Sequence, residues 1–355
     1  MARTIQVGVI GLGWAGRAHA QGYMANKNCE LVAVADLAPE GRANFKKLVK
    51  GTENVLGFER YQDMFAKTDI EAVSVCLPNF LHYPVSRDAL LAGRHVICEK
   101  PPTMNAGEMQ DLVNVATRKK LVYAFSRQPR FTGELIALRV LRERGVLGEV
   151  YFAKAGWLRQ RGIPLGAGGW FVDKKRSGGG AMIDIGIHAL DTAWFIMGNP
   201  KPHSVSGLTF TKFRQLVPKK VHYDVDDAGF ALIKFANGAG LYLETSWALN
   251  APADPRVQYD SVGEKSWIYT ELYGTKAGAR YHPPTLVQSQ KNGSIIETPV
   301  LWKNTDAFQL QQGDFLNAIR TGRKPINSVE QALLLMKMLD AIYRSSATGR
   351  EVVIR

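Results

Sequence analysis

The chain has little cysteine and no long apolar run, and each shortage excludes a class of protein. Its three cysteines are odd in number and lack the spacing of metal ligands, so neither a disulfide framework nor a cysteine metal site is expected. No segment reaches the roughly 20 apolar residues of a membrane-spanning helix. Residues 1–4 lead directly into a predicted strand, so no signal peptide is expected either. These absences predict a reduced, cytoplasmic protein with no metal centre and no membrane contact.

The basic residues are not concentrated in any one part of the chain. The formal net charge is +13, which in some proteins indicates binding to nucleic acid. Here the basic residues stand in short groups such as Lys46-Lys47, with no basic helix and no repeated alternation with aromatic residues. Nucleic acid is therefore not expected as a partner. A basic surface that helps to attract an anionic cofactor is the simpler interpretation.

The length and the order of predicted elements indicate two domains. A chain of 355 residues is too long for one ordinary domain. The first third alternates strands and helices, which is typical of a doubly wound parallel α/β sheet. Residues 204–299 read as successive strands and predict an α+β domain with a large open antiparallel or mixed sheet. We divide the chain into residues 1–126 and 127–355, and expect the last helices, about residues 306–347, to pack back toward the first domain.

The most informative motif is a glycine-rich sequence after the first predicted strand. The strand Ile5–Ile10 runs directly into Gly11-Leu12-Gly13-Trp14-Ala15-Gly16. Gly11 permits a tight turn, Gly13 leaves room for a pyrophosphate, and Gly16 lets the first helix pack closely on the strand. The N-terminus of that helix then offers N–H groups to the phosphates. A turn that binds nothing is the alternative, but the flanking elements favour a dinucleotide-binding fingerprint.

A second predicted strand ends at Asp36, twenty residues after Gly16. A carboxylate at this position can accept hydrogen bonds from the ribose hydroxyls of the cofactor. It also repels the 2′-phosphate of NADP, so we expect NAD to be preferred over NADP. Arg42 lies one or two helical turns away and would weaken that preference.

Polar residues also follow two later strands of the predicted sheet. In open α/β sheets, ligands bind beyond the carboxyl ends of the strands. The additional cofactor-binding positions predicted at these ends are Pro78, Asn79, His82, Glu99, Lys100 and Pro101. Lys100 would lie near the nicotinamide end of a bound dinucleotide, although a lysine at a strand end is often simply exposed.

A further pair of polar residues lies on a predicted helix over residues 181–197, after a run of three glycines. Asp184 and His188 are four residues apart, so they share one face of a helix. A carboxylate in that position can orient an imidazole and stabilise its protonated form for proton transfer. An aspartate that interacts with the helix dipole and a histidine bonded in the core is the alternative, and the pair considered alone favours it.

These motifs, taken in their order along the chain, resemble the glucose–fructose oxidoreductase/inositol dehydrogenase (Gfo/Idh/MocA) family. The resemblance covers nearly the whole chain and implies a Rossmann domain followed by a domain with a large open sheet, usually used for oligomerisation. It also implies an NAD(P) cofactor and a sugar, polyol or sugar derivative held between the domains. One departure is Ser126-Arg127-Gln128-Pro129-Arg130-Phe131, where many members have an Asn-Arg-Arg-Phe type of sequence.

The resemblance also implies roles for three residues. His188 would be the direct acid/base on the reacting hydroxyl, and Lys100 would hydrogen-bond the same oxygen and share or relay its proton. Asp184 would position His188 and contact the substrate. Which of Lys100 and His188 takes the proton stays open on the sequence.

The segment before the Asp184 helix is a candidate wall of the substrate site. Residues 156–176 include Trp157, Arg159 and Trp170, and aromatic faces suit the apolar faces of sugar rings. Arginine recognises acids or phosphates. Ordinary packing of Trp157 in a strand is an equally good interpretation.

The sequence thus predicts an NAD-dependent dehydrogenase that oxidises a secondary hydroxyl of a cyclic polyol, sugar or glycoside. An NAD-dependent glycosidase or lyase that acts through transient oxidation uses the same residues and is an alternative. A non-enzymatic NAD-sensing regulator is a second alternative, which the proton-transfer set disfavours. We also expect a homo-oligomer, a dimer or tetramer, because one sheet face would otherwise stay exposed. The aromatic residues expected on that face are Tyr242, Trp247, Trp267 and Tyr269.

Overall fold

The computed structural model describes residues 3–252, 258–259 and 265–355. Its contacts divide the chain into two compact units. The first unit contains Met1–Phe131 and Thr305–Leu333, and the second contains Thr132–Asn304 and Leu334–Arg355. The assignment of cofactor and substrate roles to residues 1–126 and 127–355 stays a prediction.

The first unit is built on a six-stranded parallel sheet in the order β3-β2-β1-β4-β5-β6. The strands are β1 (Ile5–Ile10), β2 (Cys29–Ala35), β3 (Leu56–Phe58), β4 (Ala72–Val75), β5 (His95–Cys98) and β6 (Tyr123–Phe125). Val7, Val9 and Val73 are fully buried, as expected for strands covered by helices on both faces. The doubly wound α/β fold predicted for this part is confirmed.

Within the described residues, six α-helices lie wholly in this unit. They are α1 (Trp14–Met24), α2 (Pro39–Leu48), α3 (Tyr61–Lys67), α4 (Asn79–Leu91), α5 (Ala106–Lys119) and, much later in the chain, α9 (Ala307–Thr321). Asn105 caps α5 by accepting the N–H of Glu108 at 2.9 Å, and the Glu108 carboxylate accepts the N–H of Met104 at 3.0 Å. This reciprocal capping fixes the chain just after the end of β5.

The second unit contains a large mixed sheet in the order β15-β14-β13-β12-β7-β10-β9-β8-β16, with β11 paired to β12. The strands are β7 (Val150–Arg159), β8 (Pro202–Phe210), β9 (Ala228–Phe235), β10 (Gly240–Ser246), β11 (Gln258–Tyr259), β12 (Lys265–Gly274), β13 (Ala277–Tyr281), β14 (Thr285–Ser289), β15 (Ile295–Pro299) and β16 (Val352–Val353). The pair β7 and β10 is parallel, with Ala155 opposite Leu243, and the other pairs are antiparallel. The predicted α+β domain with a mixed sheet is therefore confirmed.

One face of this sheet is covered by helices of the same unit. The covering helices are α6 (Gly133–Glu143), α8 (Ile187–Ile196) and the part of α10 (Val329–Thr348) that follows Leu333, while the short α7 (Lys174–Ser177) lies in the loop before the Asp184 segment. Ile233, Leu241 and Leu243 on the covered face have no exposed surface. On the opposite face, Leu208 is 53% exposed and Leu232 is 39% exposed. The alternation places an apolar surface in contact with solvent.

The structure corrects part of the expectation for the exposed sheet face. Tyr242 lies opposite Leu232 on this face and is partly exposed. Trp267 and Tyr269 are on the same face but are buried in a cluster with Leu158. Trp247 lies on the covered face and is fully buried. An extended strand points residues five positions apart to opposite faces, so Tyr242 and Trp247 cannot share one.

Candidate active site

The three glycines of the fingerprint are required for different reasons. Gly11 has a φ of +88°, and a Cβ there would lie 2.2 Å from the carbonyl oxygen of Cys76. A Cβ on Gly16 would lie 1.8 Å from the carbonyl oxygen of Gly11. A Cβ on Gly13 would meet no described atom within 4 Å, and Gly13 is exposed. The open surface at Gly13 fits the close approach of a pyrophosphate.

The N-terminus of α1 is suited to an anion. Gly13 is its N-cap and offers no side chain to the first N–H groups, and the first turn carries no acidic residue. Trp14 begins the helix, is 63% exposed and packs edge-to-face on Phe308, with ring centroids 5.9 Å apart. Ala15 is partly exposed. The N–H groups and the helix dipole can therefore bind phosphate oxygens at this end.

Asp36 lies directly beside the fingerprint. Its carboxylate accepts the N–H of Leu12 at 2.7 Å through Oδ2 and the N–H of Ala38 at 2.9 Å through Oδ1. The guanidinium of Arg42 donates to the main-chain carbonyl of Asp36. Each carboxylate oxygen has a second lone pair, so the partly exposed carboxylate is held in place and can still accept ribose hydroxyls.

The residues after β4 are held by a buried histidine. Pro78 is the N-cap of α4, and Asn79 begins the helix and is buried. The two ring nitrogens of His82 each lie 2.6 Å from a carbonyl oxygen, of Pro101 for Nδ1 and of Leu77 for Nε2. Burial lowers the pKa of His82. These contacts connect the segment after β4 to the segment after β5, so His82 holds both segments in position.

A buried polar network fixes the residues around Lys100. The Glu99 carboxylate contacts Nε2 of His19 at 3.0 Å and accepts the main-chain N–H of Lys100 at 3.1 Å. Nδ1 of His19 lies 2.8 Å from the hydroxyl of Ser74. Burial alone would raise the pKa of Glu99. Hydrogen bonding and electrostatic attraction to His19, together with a hydrogen bond to Ser126, lower the pKa of Glu99 to about 2. Lys100 itself is partly exposed and leaves the sheet from this fixed point.

Sequence reasoning missed His19 as part of this site. His19 is fully buried and lies three residues after Gly16 on α1. Residues three apart occupy neighbouring positions on one helical face, so the face that packs at Gly16 also carries His19 toward the sheet. This spacing was the available signal.

In the second unit, the glycines before Asp184 fit around Asp226. The carboxylate of Asp226 accepts the N–H of Gly180 at 2.7 Å and of Met182 at 2.8 Å, and its main-chain carbonyl accepts the N–H of Ala181 at 2.9 Å. A Cβ on Gly180 would lie 1.8 Å from that carbonyl oxygen. Burial raises the pKa of Asp226. Asp226 thus caps the start of this helix from a distant part of the chain, a contact that the sequence did not indicate.

The predicted helix over residues 181–197 consists of two parts. A π-helical turn, Met182–Gly186, carries Asp184 and continues into α8, which carries His188. Asp184 is 9% exposed, and its Oδ2 accepts the indole N–H of Trp247 at 3.1 Å. His188 is partly exposed and packs edge-to-face against Trp157, with ring centroids 5.2 Å apart. The two polar groups predicted to share a face therefore lie on successive turns, each beside a tryptophan.

The candidate substrate wall begins later than expected because β7 extends through Trp157 to Arg159. Arg159 is 5% exposed, donates to the carbonyl of Gly162 at 3.3 Å and has its guanidinium carbon 5.8 Å from the ring centroid of Trp157. Trp170 stacks on Phe171, with ring centroids 3.8 Å apart. Arg159 is thus mainly a packed side chain, whereas Trp157 and Trp170 retain partial exposure.

A small polar cluster lies at the end of this segment. Asp173, His222 and Asp224 bring three potential ligand atoms within 4.8 Å of one another. Nε2 of His222 lies 3.1 Å from Oδ2 of Asp224, and Asp224 also accepts the N–H of Lys174 at 2.7 Å. The ring of His222 thus pairs directly with Asp224, and the expectation of no metal centre stays a prediction.

Across the described part of the chain, no helix combines the length and apolarity needed to span a membrane.

Comparison with known proteins identifies the family. Residues 5–126 match the model of the Gfo/Idh/MocA oxidoreductase family with an NAD-binding Rossmann fold, and residues 135–280 match the C-terminal domain of the same family. D-glucoside 3-dehydrogenase of Escherichia coli (strain K12) is 33% identical, over 98% of this chain and 97% of its own. The chain belongs to the Gfo/Idh/MocA family.

Two further proteins support this assignment. Inositol 2-dehydrogenase of Rhizobium meliloti (strain 1021) is 25% identical over 99% of both chains. A structure of levoglucosan dehydrogenase in complex with NADH and levoglucosan has a TM-score of 0.83 at 22% identity, over 99% of this chain and 100% of its own; this likeness concerns the fold. As a Gfo/Idh/MocA oxidoreductase, the protein is an NAD(P)-binding dehydrogenase that acts on CH–OH groups.

Proposed function

We propose that this oxidoreductase oxidises a secondary ring hydroxyl of a sugar, cyclic polyol or glycoside to a ketone, with a D-glucoside as the first substrate to test. The observation that carries the reaction is the Asp184–His188 pair on successive turns of one buried helix. The substrate class is supported by the relative that acts on D-glucosides, which is 33% identical over nearly its whole length. The relative named for inositol supports the wider class of cyclic polyols.

NAD is the proposed cofactor, and the residues of the first unit fit it. The positions proposed to bind it are Gly11, Gly13, Trp14, Ala15, Gly16, Asp36, Pro78, Asn79, Glu99, Lys100 and Pro101. The open surface at Gly13 and the uncapped start of α1 suit the pyrophosphate. His82 is assigned a positioning role because both its ring nitrogens face carbonyl oxygens. NAD, when bound, accepts the hydride.

The preference for NAD over NADP is proposed on the position of Asp36. Its carboxylate is fixed beside the fingerprint by the N–H groups of Leu12 and Ala38. A 2′-phosphate would place negative charge close to this fixed negative charge, which is unfavourable in a partly desolvated site. Arg42 hydrogen-bonds the carbonyls of Asp36 and Leu37, and this engagement reduces its freedom to offset the repulsion.

His188 is proposed as the base that accepts the hydroxyl proton, since an imidazole nitrogen is the side-chain group that most often accepts a proton in such reactions. Lys100 is proposed to hydrogen-bond the same oxygen and to relay its proton. Asp184 is proposed to orient His188 and to contact the substrate. These residues would take up the one proton that the hydroxyl loses, and bound NAD would supply the acceptor for the hydride, so that the conversion of the alcohol to a ketone is balanced.

Trp157 and Trp170 are proposed to line the substrate site, and Arg159 is proposed to support the ring of Trp157 there. The ring of Trp157 already packs against His188, and an aromatic face next to the base suits the apolar face of a pyranose ring. Trp170 is held by stacking on Phe171. The burial of Arg159 favours support of Trp157 over direct recognition of an anionic group.

The experiment that tests the function is a substrate screen with purified protein and NAD. D-glucosides, hexoses, uronates and inositols are each followed by NADH absorbance and by product analysis. Net NADH formation together with a ketone product supports the proposal. Cleavage of a glycoside without net NADH would overturn it in favour of an NAD-dependent glycosidase. NAD binding without turnover on any member of the panel would favour a sensor.

We also propose that the protein is a cytoplasmic homo-oligomer, a dimer or tetramer assembled through the exposed sheet face. The face includes the partly exposed Leu208, Phe230, Leu232 and Tyr242, and monomers rarely expose large contiguous apolar surfaces. Symmetric association through one face would cover it. Light scattering during size exclusion tests this, because a mass equal to one 39.3 kDa chain would contradict it. The three free cysteines suit a reducing compartment.

A further inference from the structure

Trp247, which the sequence analysis placed on the exposed sheet face, lies beside Asp184. It follows the last residue of β10 and is fully buried. Its main-chain N–H donates to the carbonyl of Asp227 at 2.8 Å, which fixes the backbone. Its indole N–H donates to Oδ2 of Asp184 at 3.1 Å. Both N–H groups of Trp247 are therefore engaged, and the indole N–H points at a carboxylate that is proposed to take part in the reaction.

The same indole lies in the core that joins the helix start to the preceding loop. Its cluster contains Ala181 and Ile185 from the Asp184 segment and Val172 from the loop. Phe171, the residue on which Trp170 stacks, is packed against this cluster. Contacts on the apolar rings of Trp247 thus hold the indole in one orientation, and that orientation fixes the direction of its N–H.

A hydrogen bond from a rigid buried donor restricts the rotation of a carboxylate. A hydrogen bond to a charged group is stronger than one between two neutral groups. Losing the donor leaves the carboxylate oxygen without that partner in a site where water has little access. The bond therefore links the orientation of the Asp184 carboxylate to a residue that directly follows strand β10.

We propose that Trp247 is a positioning residue that holds Asp184 in the orientation required for proton transfer at His188. The inference rests on the proposed function, because it assigns Trp247 an effect on turnover through Asp184. Trp157 provides a contrast within the same cluster. Its indole N–H is buried and has no hydrogen-bond partner within the described residues. Of the two tryptophans beside the polar pair, only Trp247 positions its neighbour through a donor.

The first test compares Trp247→Phe with Trp194→Phe. Both tryptophans are fully buried, and each donates one indole N–H, to Asp184 from Trp247 and to the carbonyl of Pro200 at 2.8 Å from Trp194. Trp194 lies in α8 beyond His188. Trp247→Phe should lower kcat about tenfold or more while the dissociation constant of NAD changes less than about twofold. Trp194→Phe should destabilise the protein but keep kcat within about twofold of wild type. Equal kcat values for the two variants would overturn the inference.

The second test is a double-mutant cycle with Asp184→Ala. If Trp247 acts through Asp184, adding Trp247→Phe to Asp184→Ala should lower kcat by less than about twofold further. A second tenfold loss would show that Trp247 acts independently and would overturn the inference. If Asp184→Ala keeps wild-type kcat, the proposed role of Asp184 fails as well. If Asp184→Ala loses turnover but Trp247→Phe does not, only the role of Trp247 fails.

An NMR measurement tests the hydrogen bond between Trp247 and Asp184 even if the Trp247→Phe protein does not fold. The indole N–H signals of the seven tryptophans are compared by ¹⁵N NMR between the wild type and Asp184→Asn. One indole signal should move strongly and exchange faster with solvent, while the signal removed by Trp194→Phe stays in place. Seven unchanged indole signals would overturn the inference.

Discussion

Each unit has a glycine-rich segment at the start of a helix, and each segment packs tightly against a main-chain carbonyl. The two segments differ in how far along the chain that carbonyl lies. A side chain at Gly16 is excluded by the carbonyl of Gly11, only five residues away. A side chain at Gly180 is excluded by the carbonyl of Asp226, 46 residues away. The carboxylate of Asp184 accepts a hydrogen bond from Trp247, 63 residues away. The first turn can be interpreted from its own sequence. The second depends on partners that are distant in the sequence and are brought to it by the fold.

The largest effects are expected from removing the proposed proton-transfer groups, one in each unit. Lys100→Ala and His188→Ala should each lower kcat by about 100-fold or more, the usual scale for a positioned acid or base. The dissociation constant of NAD should change far less, because the fingerprint and Asp36 are intact. Steady-state kinetics and a fluorescence titration with NAD measure the two quantities.

Two exposed residues of the same types provide controls for these variants. Lys119→Ala and His203→Ala remove a lysine and a histidine at exposed positions and should keep kcat within about twofold. Near-wild-type turnover of either Lys100→Ala or His188→Ala would contradict the role proposed for that residue. Loss in only one of the two would identify which unit supplies the essential proton acceptor.

The next prediction separates packing from ligand binding within the first turn. Gly16→Ala adds a methyl group 1.8 Å from a carbonyl oxygen, and should destabilise the protein by about 3 kcal/mol or more. Gly13→Ala adds the same group into open space at an exposed position. It should leave the free energy of unfolding within about 1 kcal/mol of wild type, yet weaken NAD binding about tenfold. Chemical denaturation and NAD titration of both variants provide the comparison.

Equal stability losses in the two variants would show that Gly13 is also a packing glycine, contrary to the structure. Tight NAD binding by a stable Gly13→Ala protein would contradict the pyrophosphate contact proposed there. The pair is matched because the two changes add the same atoms three residues apart.

The sequence predicted the elements that have a clear hydrophobic pattern of their own. It did not predict elements and contacts that lack such a pattern. Long apolar strands such as β1 and the alternating strands of the second sheet were predicted correctly. The short strand β3 and helix α3 were missed, because β3 has three residues and Leu56 is 49% exposed, so no apolar run marks it. Trp247 was placed on the wrong face because the period of the strand was not followed from Tyr242 to the strand end.

The candidate site shows the same division. Gly11 and Gly16 have the tight turn and the close packing that their spacing predicted. The ribose contact of Asp36 stays a prediction, and its bond to the N–H of Leu12 was not predicted. His19 and Asp226 were not found, because each acts on a residue brought near by the sheet. Single-sequence patterns give no information on such pairs beyond the helical spacing of His19 from Gly16.

A smaller effect is expected on acid stability in the first unit. The pKa of Glu99 is about 2 in the folded protein, below its ordinary value of about 4.3 in an unfolded chain. Its contribution is fully present above that ordinary value and is lost as the pH falls toward 2. Between pH 7 and pH 3 the wild type should therefore lose about 2 kcal/mol from this group alone. Glu99→Gln should lack this component.

The measurement is the free energy of unfolding of wild type and Glu99→Gln at several pH values. The difference between them should shrink as the pH falls from about 4.5 to 3. Glu53→Gln, at an exposed position, is the control and should follow the wild-type curve. A difference that stays constant with pH would contradict the ionised, hydrogen-bonded state of Glu99.

The smallest effect is expected at Asp36, where the change affects the choice of cofactor more than the reaction. Asp36→Ser removes a negative charge and retains one oxygen that can accept the N–H of Leu12. The ratio of kcat/KM with NADP to that with NAD should rise about tenfold, since a repulsion of roughly 1.4 kcal/mol is relieved. Asp69→Ser, which removes an exposed carboxylate elsewhere in the first unit, should leave the ratio unchanged. If the wild type uses both cofactors with equal kcat/KM, or if Asp36→Ser does not change the ratio, Asp36 does not select the cofactor.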